Sequence, residues 1–135
     1  MPPDLHVIQQ WLERASADLR VANLSQTDPL LIAETGFHCQ QAAEKALKAY
    51  LTFHGVEFDW SHNINYLLRL CRGKDPSFAH FEPSAARLTQ FAVQFRYPTS
   101  EPIPAIKESL EALSIARDIV QFVLQRLPPQ THPAA

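Results

Sequence analysis

Residues 37–51 read FHCQQAAEKALKAYL, and with about 100° of rotation per residue they divide into two sides of an α-helix. One side is apolar and rich in alanine, whose small side chain lets a neighbouring helix approach closely. The other side is polar and charged, and the segment as a whole favours a tightly packed helical bundle. In the complete helix the apolar side comprises Cys39, Ala42, Ala43, Ala46, Leu47, Ala49, Tyr50 and Phe53, and the polar side comprises His38, Gln41, Glu44, Lys45, Lys48 and Thr52.

The ends of this helix are marked by residues with strong positional preferences. Asp28 is a suitable N-cap, and Pro29 fits the first helical position because its missing N–H has no partner there anyway. Gly55 fits the left-handed position that commonly closes a helix. These signals predict a helix over about residues 28–54.

Proline and glycine residues separate four further segments in which apolar residues recur with helical spacing. Nothing in the sequence is typical of a strand pair joined by hairpin residues. We therefore expect an all-α fold, an up-and-down bundle of four long helices plus one short helix over residues 4–127. The remaining residues, 128–135, read PPQTHPAA and are predicted to be a disordered tail. The four segments span residues 4–24 (N-cap Asp4), 63–71 (N-cap Asn63, the short helix), 83–96 and 104–127.

Composition excludes several classes of function. The 135 residues carry 12 basic and 14 acidic side chains, so a nucleic-acid interface over the whole surface is not expected, whereas a local basic site remains compatible. No apolar run approaches the roughly 20 residues of a membrane span. The N-terminus lacks the basic region followed by an apolar region that is typical of a signal peptide. We expect a cytoplasmic protein without membrane contact. Its two cysteines, Cys39 and Cys71, are predicted to be reduced thiols in the core.

The sequence predicts neither a metal ion nor a cofactor. No two histidines share a helix at i, i+4, and there is no HExxH motif. Three isolated glycines do not build a phosphate-binding loop. The histidines are His6, His38, His54, His62, His80 and His132.

The polar side of the 28–54 helix is the first candidate binding site. His38, Gln41, Lys45 and Lys48 lie within about 80° of one another, a strip that suits a phosphate or an acidic partner. The alternative is an ordinary solvated face. Asp18 lies at the edge of the apolar stripe of the first helix, where a carboxylate needs a partner such as Lys45 or the later Arg96.

The second candidate is the sequence Phe95-Arg96-Tyr97-Pro98. Pro98 disfavours the helical region for Tyr97, so the fourth helix is predicted to end at or just after Arg96. Arg96 then either interacts with the free carbonyls of the helix end or directs its guanidinium group at a phosphate. We count Arg96 and Tyr97 among the candidate ligand-binding residues.

Taken in order along the chain, these segments resemble the HEPN family of small helical proteins. The FHCQQAAEKALKA run of residues 37–49 is the specific part. The resemblance covers roughly residues 5–126. Weaker matches lie before and after that run, namely Ala17-Asp18-Leu19 with Ala22, His62-Asn63-Ile64-Asn65-Tyr66-Leu67-Leu68, Phe95-Arg96-Tyr97-Pro98 and the alanine-bearing last helix.

The resemblance implies a homodimer that binds a nucleotide or RNA and pairs with a minimal nucleotidyltransferase in a toxin–antitoxin-like module. Many HEPN proteins are metal-independent ribonucleases, with an arginine followed after four to six residues by a histidine. Arg96 matches the arginine, but residues 97–103 contain no histidine. We therefore expect a phosphate-binding partner protein rather than an enzyme. The alternatives are a ribonuclease in which Arg96 acts with His38, Asp18 or Tyr97, and a purely structural dimer.

Overall fold

The computed structural model describes residues 2–60, 62–94 and 106–134, with only the backbone of residues 92–94. Within these ranges the chain is a bundle of α-helices without strands, which confirms the predicted all-α fold. Three short 3₁₀ segments, Pro29–Leu31, Pro76–Phe81 and Pro129–Thr131, join or follow the helices. The α-helices are α1 (Leu5–Ser25), α2 (Ile32–Phe53), α3 (Ile64–Lys74), α4 (Glu82–Gln94) and α5 (Ile106–Leu124).

The helix ends follow local sequence chemistry. The Asp4 carboxylate accepts a hydrogen bond from the His6 N–H at 3.0 Å and so caps α1 as predicted. Asn63 caps α3 in the same manner. Asp28 caps the 3₁₀ turn that precedes α2, so the α-helix itself begins at Ile32, slightly later than predicted.

The central element of the bundle is α2, which packs against all four other helices. The four alanines of its apolar side are completely buried, as the sequence predicts, and Phe53 at the end of the helix is partly buried. The helix closes where Gly55 adopts a φ of +65°, a conformation that costs little without a Cβ. Cys39 and Cys71 are free thiols in the core, and burial raises the pKa of Cys39 to about 12.

The C-terminal segment differs from the predicted disordered tail. The 3₁₀ segment Pro129–Thr131 lies against α1, and Thr131 is completely buried. His132 Nε2 lies 2.8 Å from the Leu124 carbonyl oxygen and 3.2 Å from that of Leu127. The last carbonyls of a helix have no partner within the helix, so a nearby ring N–H donor stabilises them and fixes the segment.

A polar contact joins the end of α3 to the segment that follows α5. The Asp75 carboxylate accepts hydrogen bonds from the Ser77 N–H, from the Ser77 hydroxyl and, at 2.8 Å, from Arg126 Nε. Hydrogen bonds from Ser77 and then from Arg126 lower the pKa of Asp75 from 3.8 to about 2. Ionised Asp75 therefore stabilises the folded chain.

This lowered pKa predicts a pH dependence of stability. Because the folded pKa lies below the unfolded value, the contribution of Asp75 is complete above about pH 4 and is lost as the pH falls through about 2. We expect Asp75→Asn to lower the urea midpoint at pH 7, and the difference from wild type to shrink steadily from pH 4 to pH 2. A difference that stays constant over this range would contradict the assignment.

None of the helices in the described ranges is both long and apolar enough to cross a membrane.

Candidate functional site

A carboxylate of α1 meets two nitrogen-bearing side chains of α2. Asp18 is only 7% exposed; its Oδ1 lies 2.8 Å from His38 Nδ1, and its Oδ2 lies 2.6 Å from Lys45 Nζ. His38 and Lys45 are seven residues apart, about two helical turns, so they share one face of α2 and lie on either side of Asp18. We call these three residues the Asp18 cluster. Of the partners predicted for Asp18, the structure places Lys45 in contact.

The contact with Asp18 fixes how His38 presents its ring. A carboxylate accepts hydrogen bonds, so His38 Nδ1 carries the hydrogen and donates it. The second ring nitrogen, Nε2, then accepts a proton when the ring is neutral and donates one when the ring is charged. The His38 side chain is 28% exposed and that of Lys45 is 21% exposed, so both reach solvent. The cluster thus combines a held imidazole with a held ammonium group.

A second ionic group on α2 is buried instead. Glu44 and Lys48 are 2% and 4% exposed, with Glu44 Oε2 3.1 Å from Lys48 Nζ. The ammonium group also lies 5.5 Å from the Trp11 ring centre and 5.8 Å from that of Phe58. His62 Nδ1 completes the group at 3.1 Å from both Glu44 oxygens. We call Glu44, Lys48 and His62 the Glu44 cluster.

This burial corrects one part of the predicted polar strip. Lys48 is neither solvated nor available to a ligand, because Trp11 of α1 and Phe58 of the α2–α3 connection cover it. Helical spacing identifies the polar side of α2, but it does not reveal which later segment lies over that side. The role of His62 was likewise missed, and a histidine 18 residues from Glu44 gives no signal in the spacing.

Gln41 lies between the two clusters and remains half-buried. Its Nε2 donates to Gln40 Oε1 at 3.1 Å, and Gln40 Nε2 donates to the His62 carbonyl oxygen at 2.9 Å. The second of these bonds ties the α2–α3 connection to the surface of α2, and the first links the two glutamines within α2. Of the predicted strip, His38, Gln41 and Lys45 therefore reach solvent side by side.

Arg96 and Tyr97, two of the predicted ligand-binding residues, lie outside the residues that the structure describes. That Arg96 directs its guanidinium group at a phosphate accordingly remains a prediction. No group of three metal-ligating side chains occurs in residues 2–60, 62–94 and 106–134. In each of the two clusters a lysine stands beside the carboxylate and the histidine, which gives the carboxylate a cationic partner within the protein.

The described part of the chain is an all-α domain in which the first two helices hold an ionic cluster at the surface of the bundle. The family model of the HEPN domain matches residues 8–127. The chain therefore belongs to the HEPN domain family, as its sequence resemblance predicted.

Two solved structures share this fold. One is TT1696 from Thermus thermophilus, with 30% sequence identity, coverage of 90% of this chain and 99% of that chain, and a TM-score of 0.73. The other is ST0689, described as an archaeal HEPN homologue, with 26% identity, coverage of 88% and 96%, and a TM-score of 0.69. No curated protein matches the chain.

Proposed function

We propose that the chain binds a phosphate group of a nucleotide or RNA at the surface formed by His38, Gln41 and Lys45. We also propose that it serves in the cytoplasm as the partner of a minimal nucleotidyltransferase. The observation that supports binding is the Asp18 cluster, in which one carboxylate holds both nitrogen-bearing side chains at 2.6–2.8 Å. Lys45 retains N–H groups beyond the one given to Asp18, and a protonated His38 offers Nε2–H.

The charge of the cluster suits a single phosphate rather than a long polyanion. Asp18 neutralises one positive charge, so the cluster carries a net charge of +1 when His38 is protonated. Donors of this kind form short, charge-assisted hydrogen bonds to phosphate oxygens. The overall formal charge of −2 does not favour binding of a long polyanion over the whole surface.

Asp18 also lowers the cost of ordering the site. A free lysine side chain loses about 2 kcal/mol of rotamer entropy when it is fixed. The Lys45 side chain is already held on Asp18 before a ligand arrives, so part of this loss has occurred on folding. Asp18 is thus a positioning residue for the proposed site.

Lys45→Met tests the binding site. Losing one charge-assisted contact should weaken the binding of ATP or of a short single-stranded RNA roughly tenfold, as measured by calorimetric titration. For RNA, the slope of log affinity against log salt should fall by about 1. Comparing the two ligands distinguishes a nucleotide site from an RNA site.

Lys74→Met is the matched control, since Lys74 is an exposed lysine at the far end of α3. It removes the same charge and should leave both affinities unchanged. Equal losses of affinity in the two variants would indicate nonspecific electrostatic attraction. The proposal would be wrong if the wild-type protein gave no heat of binding at millimolar ligand. The predicted role of Arg96 is tested by Arg96→Ala in the same titrations.

The nucleotidyltransferase partnership is supported by family membership together with the sequence resemblance. Co-expression with a minimal nucleotidyltransferase encoded beside this chain should give a complex that co-elutes in size-exclusion chromatography. Separate elution of two folded proteins would contradict the partnership without affecting the binding site.

Metal-independent RNA cleavage is a second candidate function, favoured by the 2.8 Å contact between Asp18 and His38. A carboxylate that holds Nδ1–H leaves neutral Nε2 positioned to accept a proton, here that of a ribose 2′-hydroxyl. The 2′-oxygen would attack the adjacent phosphate to give a 2′,3′-cyclic phosphate, and the P–O bond to the 5′-oxygen of the next nucleotide would break, with that oxygen taking a proton from water. Incubation of single-stranded RNA with the protein in EDTA distinguishes the two functions. Cleavage that is lost in His38→Gln supports the nuclease, whereas binding without cleavage supports the partner protein.

A further inference from the structure

The most exposed large apolar side chain in the described ranges is Trp60, at 93%. It lies in the α2–α3 connection, and residues close to it in sequence contact the bundle. The Phe58 ring lies against the Lys48 ammonium group, and the Asp59 N–H donates to the Tyr66 hydroxyl at 3.3 Å. The indole is therefore displayed to solvent from an anchored backbone. With two side-chain torsions, a tryptophan in such a place loses little conformational entropy when it binds.

The α2–α3 connection forms one edge of the proposed phosphate surface. The His62 ring contacts Glu44 at 3.1 Å, and the His62 carbonyl accepts a hydrogen bond from Gln40 at 2.9 Å. The next residues along α2, Gln41 and Lys45, belong to the phosphate surface. Successive helical residues are about 100° apart, so the row contacted by the connection lies directly beside the row that faces the ligand. On the other side of that surface lies α1, which contacts it through its carboxylate.

The charges along this edge determine which part of a nucleotide can lie there. Trp60 stands between two exposed acidic residues, Glu57 and Asp59 on one side of it in sequence, and the carboxylates repel phosphate oxygens. The hydrogen-bond donors for a phosphate are on α2, with Lys45 among them. An uncharged base, by contrast, stacks well on an indole ring. The phosphate therefore fits on α2 and the base on the connection.

We infer that Trp60 is the base-stacking residue of the phosphate site, and this inference rests on the site proposed above. The phosphate contacts His38 and Lys45 while a base of the same ligand stacks on the indole. This arrangement narrows the ligand to nucleotides with an unpaired base, either free or in single-stranded RNA. A base inside a duplex is stacked on both faces and offers none to Trp60.

Calorimetric titration of Trp60→Ala with matched ligands tests the stacking contact. ATP is compared with inorganic tripolyphosphate, and a short single-stranded RNA with an abasic ribose-phosphate strand of the same length. The affinities for ATP and RNA should fall roughly tenfold or more, as is usual when a stacking ring is removed. The affinities for the two base-free ligands should not change. A loss confined to ATP or to RNA supports the inference and identifies the source of the base.

Two further variants control for nonspecific effects. Trp60→Phe keeps an aromatic face, so it should bind ATP and RNA more tightly than Trp60→Ala does. Leu30→Ser removes another exposed apolar side chain, 88% exposed at the turn before α2, and should leave every affinity unchanged. Circular dichroism checks that each variant is folded.

Tryptophan fluorescence reports the same contact directly. A base stacked on an indole quenches its emission, so ATP and RNA should quench the wild-type protein. The quenching should disappear in Trp60→Phe, in which the partly buried Trp11 is the remaining tryptophan.

The titrations separate a failure of this inference from a failure of the proposed function. If Lys45→Met weakens binding and Trp60→Ala does not, the phosphate site stands and the stacking contact is refuted. Equal losses of Trp60→Ala for ligands with and without a base refute it as well. If the wild-type protein binds none of the four ligands, the phosphate site is wrong and the stacking contact is wrong with it.

Discussion

Glu44→Ala should lower the free energy of unfolding by about 3–5 kcal/mol, because it leaves a buried lysine without its counter-ion. Lys48 is 4% exposed, and its Nζ has Glu44 as its carboxylate partner at 3.1 Å. The aromatic rings of Trp11 and Phe58 exclude water from the ammonium group and do not replace a negative charge. Urea unfolding at pH 7, followed by circular dichroism, measures the loss.

A double variant separates the charge effect from simple loss of packing. In Glu44→Leu/Lys48→Met both charges are replaced by apolar groups of similar size, and we expect stability within about 1 kcal/mol of wild type or above it. His62→Ala should cost less than about 1 kcal/mol, since the His62 side chain is 75% exposed. The explanation would fail if the double variant were as unstable as Glu44→Ala.

Phe78→Ala is expected to cost about 3–5 kcal/mol, as large-to-small changes of fully buried aromatic residues do. Phe78 is completely buried in the 3₁₀ segment between α3 and α4. Its ring centre lies 4.6 Å from that of Tyr50 on α2 and 4.9 Å from that of Phe122 on α5. The change therefore leaves a cavity where three elements meet. The lost stability is measured as a lower urea midpoint. The slope of the free energy of unfolding against urea concentration should stay unchanged.

Phe78→Leu is the control for this prediction, because leucine refills much of the cavity. We expect it to cost less than about 1.5 kcal/mol. Equal effects of alanine and leucine would mean that ring-to-ring contacts, rather than filled volume, determine the contribution of Phe78.

The sequence predicts the fold well because helix periodicity and end signals are local. The alanine-rich side of α2 and the N-cap Asp4 can both be read within a few residues, and the structure confirms them. The sequence also indicated Lys45 as a possible partner of Asp18, since a carboxylate at the edge of an apolar stripe requires a partner. His38 could have been found as the second partner, because it lies two helical turns before Lys45 on the same face.

The rest depends on which segments pack over one another, and that information is not local. Nothing in the spacing around Lys48 indicates that Phe58 and Trp11 cover it. The ordered structure of the C-terminal segment was not predicted for a similar reason. Its proline-rich composition is typical of disorder, whereas its position depends on His132 reaching the carbonyl groups at the end of α5.

The central position of α2 has a consequence for dynamics. Because this helix packs against every other helix, we expect its residues to belong to the part of the bundle that opens only when the whole domain unfolds. His38 and Lys45 stand on that helix, and Asp18 holds them from α1. His38 and Lys45 would thus meet a ligand from backbone whose amide hydrogens we expect to exchange slowly with solvent.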